Sequence, residues 1–142
     1  LWGPSAALSQ VLGDEPRTFA PYSKTAAAIT GPVVLSRLMM IFENGATLDS
    51  LQIDPAAPGL WGNSGDIPVA QLFRVSGKIG ALRGGNKLCG DDPITYLAAS
   101  QEKASGDQYL VITLFDGTSE PRGIADPGLC GIYSYTTKAT DP

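Results

Sequence analysis

From residue 25 onward the chain is written as short apolar runs, each closed by a turn signal. Gly31-Pro32 ends the first stretch, and Asn44-Gly45 separates residues 37–42 from residues 46–53. Gly106-Asp107 is a natural turn between residues 94–99 and 109–115, the two clearest strands. Asn-Gly between apolar runs is the strongest short-range hairpin signal, because both residues accept the positive φ that a tight hairpin turn requires. Residues 33–35, 69–76 and 129–136 read as further strands. Glycine and proline (17 and 11) supply 28 of 142 residues, an excess over the usual share of about 12% that favours turns over long helices.

These signals predict an all-β chain of seven or eight antiparallel strands. One sheet of that many strands tends to curl or split, so a small antiparallel β-barrel or a two-layer sandwich is expected, with at most one short N-terminal helix. A barrel also removes exposed edges, which matters where only 17% of residues are charged and few can guard them. The helix is expected within residues 4–15, where Ser5 can cap it and Ala6, Ala7, Leu8, Val11 and Leu12 recur at helical spacing before Gly13. Residues 1–24 then form an N-terminal arm, residues 25–136 a single β-domain, and residues 137–142 a tail. Within this scheme residues 17–24 read as connector and residues 54–66, with two prolines and three glycines, as a loop.

The two cysteines sit in the same tripeptide, Leu88-Cys89-Gly90 and Leu129-Cys130-Gly131. Only two, in matching settings, point to a pair. Bonded, they close a loop of about 40 residues, worth roughly 4 kcal/mol in the chain-entropy model. A stable disulfide implies an oxidising compartment. Leu1 is no initiating Met, and no basic-then-apolar leader follows it; an export signal already removed is the expectation, and with it a periplasmic or secreted location. Leu72-Phe73 and Leu114-Phe115 precede the two Leu-Cys-Gly tripeptides at nearly equal separations, which hints at a duplicated strand–loop–strand unit.

Absences in the sequence narrow the chemistry. Without a single His, the chain alone cannot run Ser-His-Asp or Cys-His catalysis or ligate zinc or haem through imidazole. Two thiols are too few for a four-cysteine site. A net charge of -4 argues against a phosphate-seeking nucleic-acid binder. No stretch approaches the ~20 apolar residues of a membrane span. Ser76-Gly77-Lys78 with Gly80, Gly84 and Gly85 resembles a phosphate loop only superficially: Ile79 stands where Ser or Thr must follow the Lys. Ser23-Lys24 are neighbours in sequence, but a Ser-Lys dyad needs side chains that converge in space. No cofactor is expected.

Candidate binding residues remain. Asp91 and Asp92, just before Pro93, form the densest negative charge, in a setting typical of a turn. Asp116 and Glu120 bring carboxylates to a loop that lacks the alternating acids of an EF-hand, so a solvated loop is expected there. Trp61 lies in the Pro/Gly-rich loop, either as a contact anchor or folded back over one end of the barrel. Tyr96, Tyr109, Tyr133 and Tyr135 can place phenols on one sheet face, and the two-residue spacing of Tyr133 and Tyr135 puts that pair on the same side.

Leu88-Cys89-Gly90, then Pro93-Ile94-Thr95-Tyr96-Leu97, then Leu129-Cys130-Gly131-Ile132-Tyr133-Ser134-Tyr135 resembles small exported bacterial proteins of uncharacterised function. The resemblance runs from Leu88 to Tyr135 and implies an exported, disulfide-bearing β-protein; it brings no catalytic residue with it. Together with the charge, it points to a domain that binds rather than catalyses. Three readings stay open at this point: a carrier of a small apolar ligand; an interaction module or inhibitor that meets a basic secreted hydrolase; and a His-independent enzyme using carboxylate or Tyr chemistry.

Overall fold

The computed structural model describes residues 12–76, 82, 85–89, 92–104 and 106–136. Strands β1 (Arg17–Phe19), β2 (Val33–Leu35), β3 (Met39–Ile41), β4 (Thr47–Trp61), β5 (Ile67–Ser76), β6 (Tyr96–Ala104), β7 (Asp107–Phe115) and β8 (Leu129–Thr136) form one sheet in sequential order. Every pairing is antiparallel. The sheet curls until its ends meet: past β1 the chain bridges Pro21 to Tyr135, with Tyr22 N–H donating to Ser134 O (2.8 Å) and Thr136 N–H to Ala20 O (2.9 Å). The result is a nearly closed, up-and-down barrel. Residues 17–24, expected as connector, thus supply β1 and the closing seam.

Local chemistry explains the elements. The Asn44-Gly45 turn joins β3 to β4, with Gly45 at φ 86° and Ala46 N–H bonded to Asn44 Oδ1. The turn at Gly106 (φ 85°) joins β6 to β7 so tightly that the two strands pair from Tyr96↔Phe115 to Ala104↔Asp107. The helix α1 is Lys24–Ile29, capped by the Ser23 hydroxyl on Ala26 N–H (3.1 Å). It ends at Gly31, whose φ of 64° lets its N–H return to Ala26 O. The helix expected within residues 4–15 falls mostly outside the described residues; among those described, α1 stands instead where a small apolar stretch was read as strand-like. Ser-Lys-Thr followed by three alanines carries its own cap and strong helix formers.

The largest departure from expectation is β4. It runs 15 residues through Pro55 and Pro58, where a loop was expected. Three register shifts against β5, at Gln52/Asp54, Asp54/Ala57 and Pro58/Trp61, accommodate the two prolines, because at a bulge the missing N–H costs no ladder bond.

Alternation along the strands separates two apolar clusters. Inward-facing Phe73 and Val75 of β5, Leu97 and Ala99 of β6, Leu110, Ile112 and Leu114 of β7, and Tyr133 and Tyr135 of β8 join Phe19, Leu35, Met40 and Leu48 in the barrel interior. On the opposite face of the same strands, Ala70, Leu72, Tyr96, Ala98 and Phe115 gather with Ala57 and Trp61. Leu72-Phe73 and Leu114-Phe115 therefore have opposite phase: Leu72 lies outside and Leu114 inside. Segments that present opposite faces are not duplicates of one unit.

Trp61 belongs to β4 and Phe115 to β7, with β5 and β6 between them in the sheet. Three strand spacings are about 14 Å, yet their ring centroids lie 6.3 Å apart, edge to face. The far half of the β4–β5 hairpin must bend over the outer wall, and the β4 bulges permit it. Asn63 at its tip donates through Nδ2 to Glu102 (3.1 Å) and Ser134 Oγ (3.1 Å), on β6 and β8. The loop of residues 116–128 holds the fold-over from the far side: Leu60 N–H bonds Arg122 O and Ile124 N–H bonds Leu60 O. Gly123 (φ 152°) is obligatory there, because a Cβ would stand 2.4 Å from Leu60 O.

Cys89 and Cys130 are joined, with Cα atoms 5.2 Å apart. The bond ties the segment between β5 and β6 to β8, and both cysteines pack against the interior cluster.

Candidate functional site

The outer wall carries a groove at the end of β5 opposite the fold-over. Alternation sends Arg74 outward between inward Phe73 and Val75, and register sets it beside Leu51 of β4 and Tyr96 of β6. A cleft of about 270 Å3 is lined by Arg74, Val75, Thr95, Tyr96, Gly117 and Thr118. A second, of about 260 Å3, is lined by Asp49, Ser50, Leu51, Arg74, Val75 and Ser76. Arg74 is the ridge between them.

Each wall of the groove is fixed from below. Val75 N–H donates to Thr95 O (3.0 Å) and Thr95 N–H to Phe115 O (2.8 Å), while the Thr95 hydroxyl binds the carbonyls of Phe115 and Gly117. The guanidinium of Arg74 stands 5.9 Å from the centroid of the Tyr96 ring, a cation–π contact worth about 0.5–1 kcal/mol at an exposed site. Among the described residues Arg74 has no carboxylate partner, whereas Arg37 is paired with Asp14. Leu51, its cross-strand neighbour, is 65% exposed. An unpaired guanidinium, an uncovered leucine and flanking hydroxyls can together hold a carboxylate next to an apolar side chain.

The expected site residues distribute unevenly around this groove. Tyr96 lines it, although its ring is buried against the outer-wall cluster. Asp116 enters it by adjacency, since Gly117 and Thr118 form its rim; its N–H closes the 116–128 loop on Gly128 O (2.9 Å). Glu120 is exposed on that loop. Asp92 is exposed before Pro93, and Asp91 lies outside the described residues. Trp61 is fully buried, its indole N–H bonded to Ala57 O (3.0 Å); it seals the outer wall rather than an end of the barrel. Among the described residues no group of three His, Cys, Asp or Glu side chains is placed to hold a metal ion, and no helix is long and apolar enough to cross a membrane.

The four tyrosines do not share a face. Tyr133 and Tyr135 point inward, where burial raises both phenol pKa values above the ordinary 10.0. Tyr96 and Tyr109 point outward. Tyr109 stacks on Tyr22 with ring centroids 3.8 Å apart, and the hydrogen bond to Tyr22, then desolvation, raises its pKa.

Arg74 and Leu51 were not among the sequence candidates. The available signal was that Arg74 is the lone charge in an otherwise uncharged strand, Ile67–Ser76. A charge kept in such a run must face outward or be paired.

Comparison with protein-family models, with curated proteins and with solved structures finds no match.

Proposed function

We propose that the protein is an exported binding domain that docks a basic partner protein against the outer wall of its barrel. The observation that carries this reading is the juxtaposition of exposed Leu51 with the unpaired guanidinium of Arg74, between two clefts. A partner's apolar side chain covers Leu51 and its carboxylate meets Arg74. Cationic residues around that contact face Asp49 in one cleft and Asp116 beside the other, in keeping with the net charge of -4. The Cys89–Cys130 bond supports an oxidising, periplasmic or secreted setting.

Large side chains occupy the barrel interior: Phe19, Phe73, Tyr133, Tyr135, Met40 and Leu48 are each at most 2% exposed. Eight strands enclose a space just wide enough for such a filling. A wall site therefore accounts for binding better than an apolar ligand carried inside.

The test is a binding titration against a panel of basic secreted hydrolases at low and high salt. The expected result is at least one salt-sensitive complex, weakened about tenfold or more (~1.4 kcal/mol) by Arg74→Glu and by Leu51→Asp. Both positions are exposed, so both variants should stay folded, Arg74→Glu losing no more than the ~0.5–1 kcal/mol of its contact with Tyr96. Undiminished binding by both variants, or no complex with any member of the panel, overturns the reading.

A further inference from the structure

On the opposite face of β5 from Arg74, the buried side chain of Gln71 makes a contact that interior packing does not require. Its Oε1 accepts from Leu12 N–H (2.9 Å) and its Nε2 donates to Leu12 O (2.9 Å), so one carboxamide satisfies both main-chain groups of one residue. Gln71 is 0% exposed, and its Nε2 also reaches Gln52 Oε1 (3.0 Å). The next carbonyl, Gly13 O, accepts from Arg37 N–H (2.7 Å) in the β2–β3 connection. The Leu12 side chain enters the interior cluster at 3% exposure, and the Asp14 carboxylate pairs with Arg37 outside.

This is the contact pattern of a bound peptide. Fixed amides read the main chain, an apolar pocket reads one side chain, and a guanidinium reads an acid two residues on. Burying a carboxamide among apolar groups costs free energy unless its bonds are made, and an apolar residue at position 71 would plug the same space without that requirement. A Gln here is matched to an extended backbone. Residues 13–16, which link Leu12 to β1, are all exposed, so residues 12–14 can leave the slot without unpairing β1. A Cβ on Gly13 would meet nothing within 4 Å, so the middle position accepts any side chain.

The structure assigns this slot as a peptide-binding site that the chain's own residues 12–14 hold closed, and whose ligand is an extended segment of another protein with Leu followed two residues later by Asp. The slot is separate from the Arg74 groove, and the two readings stand or fall independently.

The experiment uses the full chain carrying Leu12→Ala, which loosens the internal segment, and a fluorescent synthetic peptide with the sequence of residues 10–16. Anisotropy is expected to show binding at least about tenfold tighter than to the unaltered chain (~1.4 kcal/mol). Adding Gln71→Leu should abolish it, and Asn in place of the peptide's Asp should weaken it. A folded Leu12→Ala chain that does not bind, or binding that survives Gln71→Leu, overturns the assignment. If Leu12→Ala fails to fold, hydrogen exchange of the unaltered protein decides. The Leu12 amide is expected to exchange through a local opening, well ahead of the β7 amides. Exchange of both at one global rate would make the segment an integral part of the core and end the proposal.

Discussion

The phenol oxygen of Tyr135 lies 2.8 Å from the hydroxyl of Thr30, joining the C-cap of α1 to the last strand across 105 residues of sequence. Both residues are buried, and the bond locks the helix onto the seam where the barrel closes. Burial of Tyr135 and Tyr133 raises both phenol pKa values, and for Tyr135 it outweighs the opposing effect of the Thr30 bond. The native state therefore holds the neutral phenols more firmly than the unfolded chain does. Their contribution to stability is complete below the unfolded value of about 10 and is lost as pH rises from there toward the raised native values. Alkaline titration followed by tyrosinate absorbance and circular dichroism should show these two phenols ionising only together with unfolding. Ionisation of every tyrosine ahead of unfolding would contradict this. Tyr135→Phe should cost about 1 kcal/mol at neutral pH.

The Cys89–Cys130 bond closes a loop with a sequence separation of 41. In the chain-entropy model that restraint is worth about 4 kcal/mol, acting on the unfolded chain. Cys89→Ala with Cys130→Ala should lower stability by roughly that amount while leaving the far-ultraviolet spectrum unchanged. Chemical denaturation of both forms measures it, and a loss below about 1 kcal/mol would show that the unfolded chain is already compact there.

Particular residues show what a sequence of this kind makes readable. Asn44-Gly45 announced its hairpin because a tight turn needs positive φ and few residues supply it. The matched cysteines announced their bond, and the spacing of Tyr133 and Tyr135 put both on one face, the inner one. The middle strands were recognisable as strands but not as to face. Tyr109–Phe115 is apolar almost throughout because the folded-over hairpin buries its outer side as well as its inner one, and alternation disappears where both faces are covered. Trp61 reads in sequence as a contact anchor or as folded over one end of the barrel, and it lies instead buried in the outer wall: the fold-over depends on three bulges in β4, and prolines that make bulges tolerable also read as a loop. Gln71 and Arg74 carry no local motif. Their significance lies in partners far away in sequence or in the absence of one.

The fold-over makes a prediction of its own. Trp61 is fully buried against Phe115, and Gly123 touches Leu60 too closely for any side chain. Trp61→Ala should cost about 3–5 kcal/mol, the range for emptying a large aromatic site. Gly123→Ala should detach residues 116–128 from β4, shift Trp61 emission to the red and leave the barrel folded. Unchanged emission in Gly123→Ala would mean that the loop does not hold the hairpin down.

Beneath that hairpin, on the outer faces of β6 and β7, Ser100 Oγ and Thr113 Oγ1 are buried with no hydrogen-bond partner among the described residues. On β8, the strand next to β7, Ser134 Oγ is also buried and accepts from Asn63 Nδ2 at 3.1 Å. The three hydroxyls share one face and one degree of burial, and they differ in whether a partner is present. Removing an unpartnered buried hydroxyl relieves a desolvation penalty, whereas removing a bonded one leaves its partner unsatisfied. Thr113→Val, which keeps the shape, and Ser100→Ala should therefore hold stability constant or raise it by roughly 1 kcal/mol. Ser134→Ala should lower it by about as much and loosen the hairpin tip at Asn63. Denaturant melts of the three single variants decide the order, and destabilisation by Thr113→Val matching that of Ser134→Ala would show that the Thr113 hydroxyl is bonded after all.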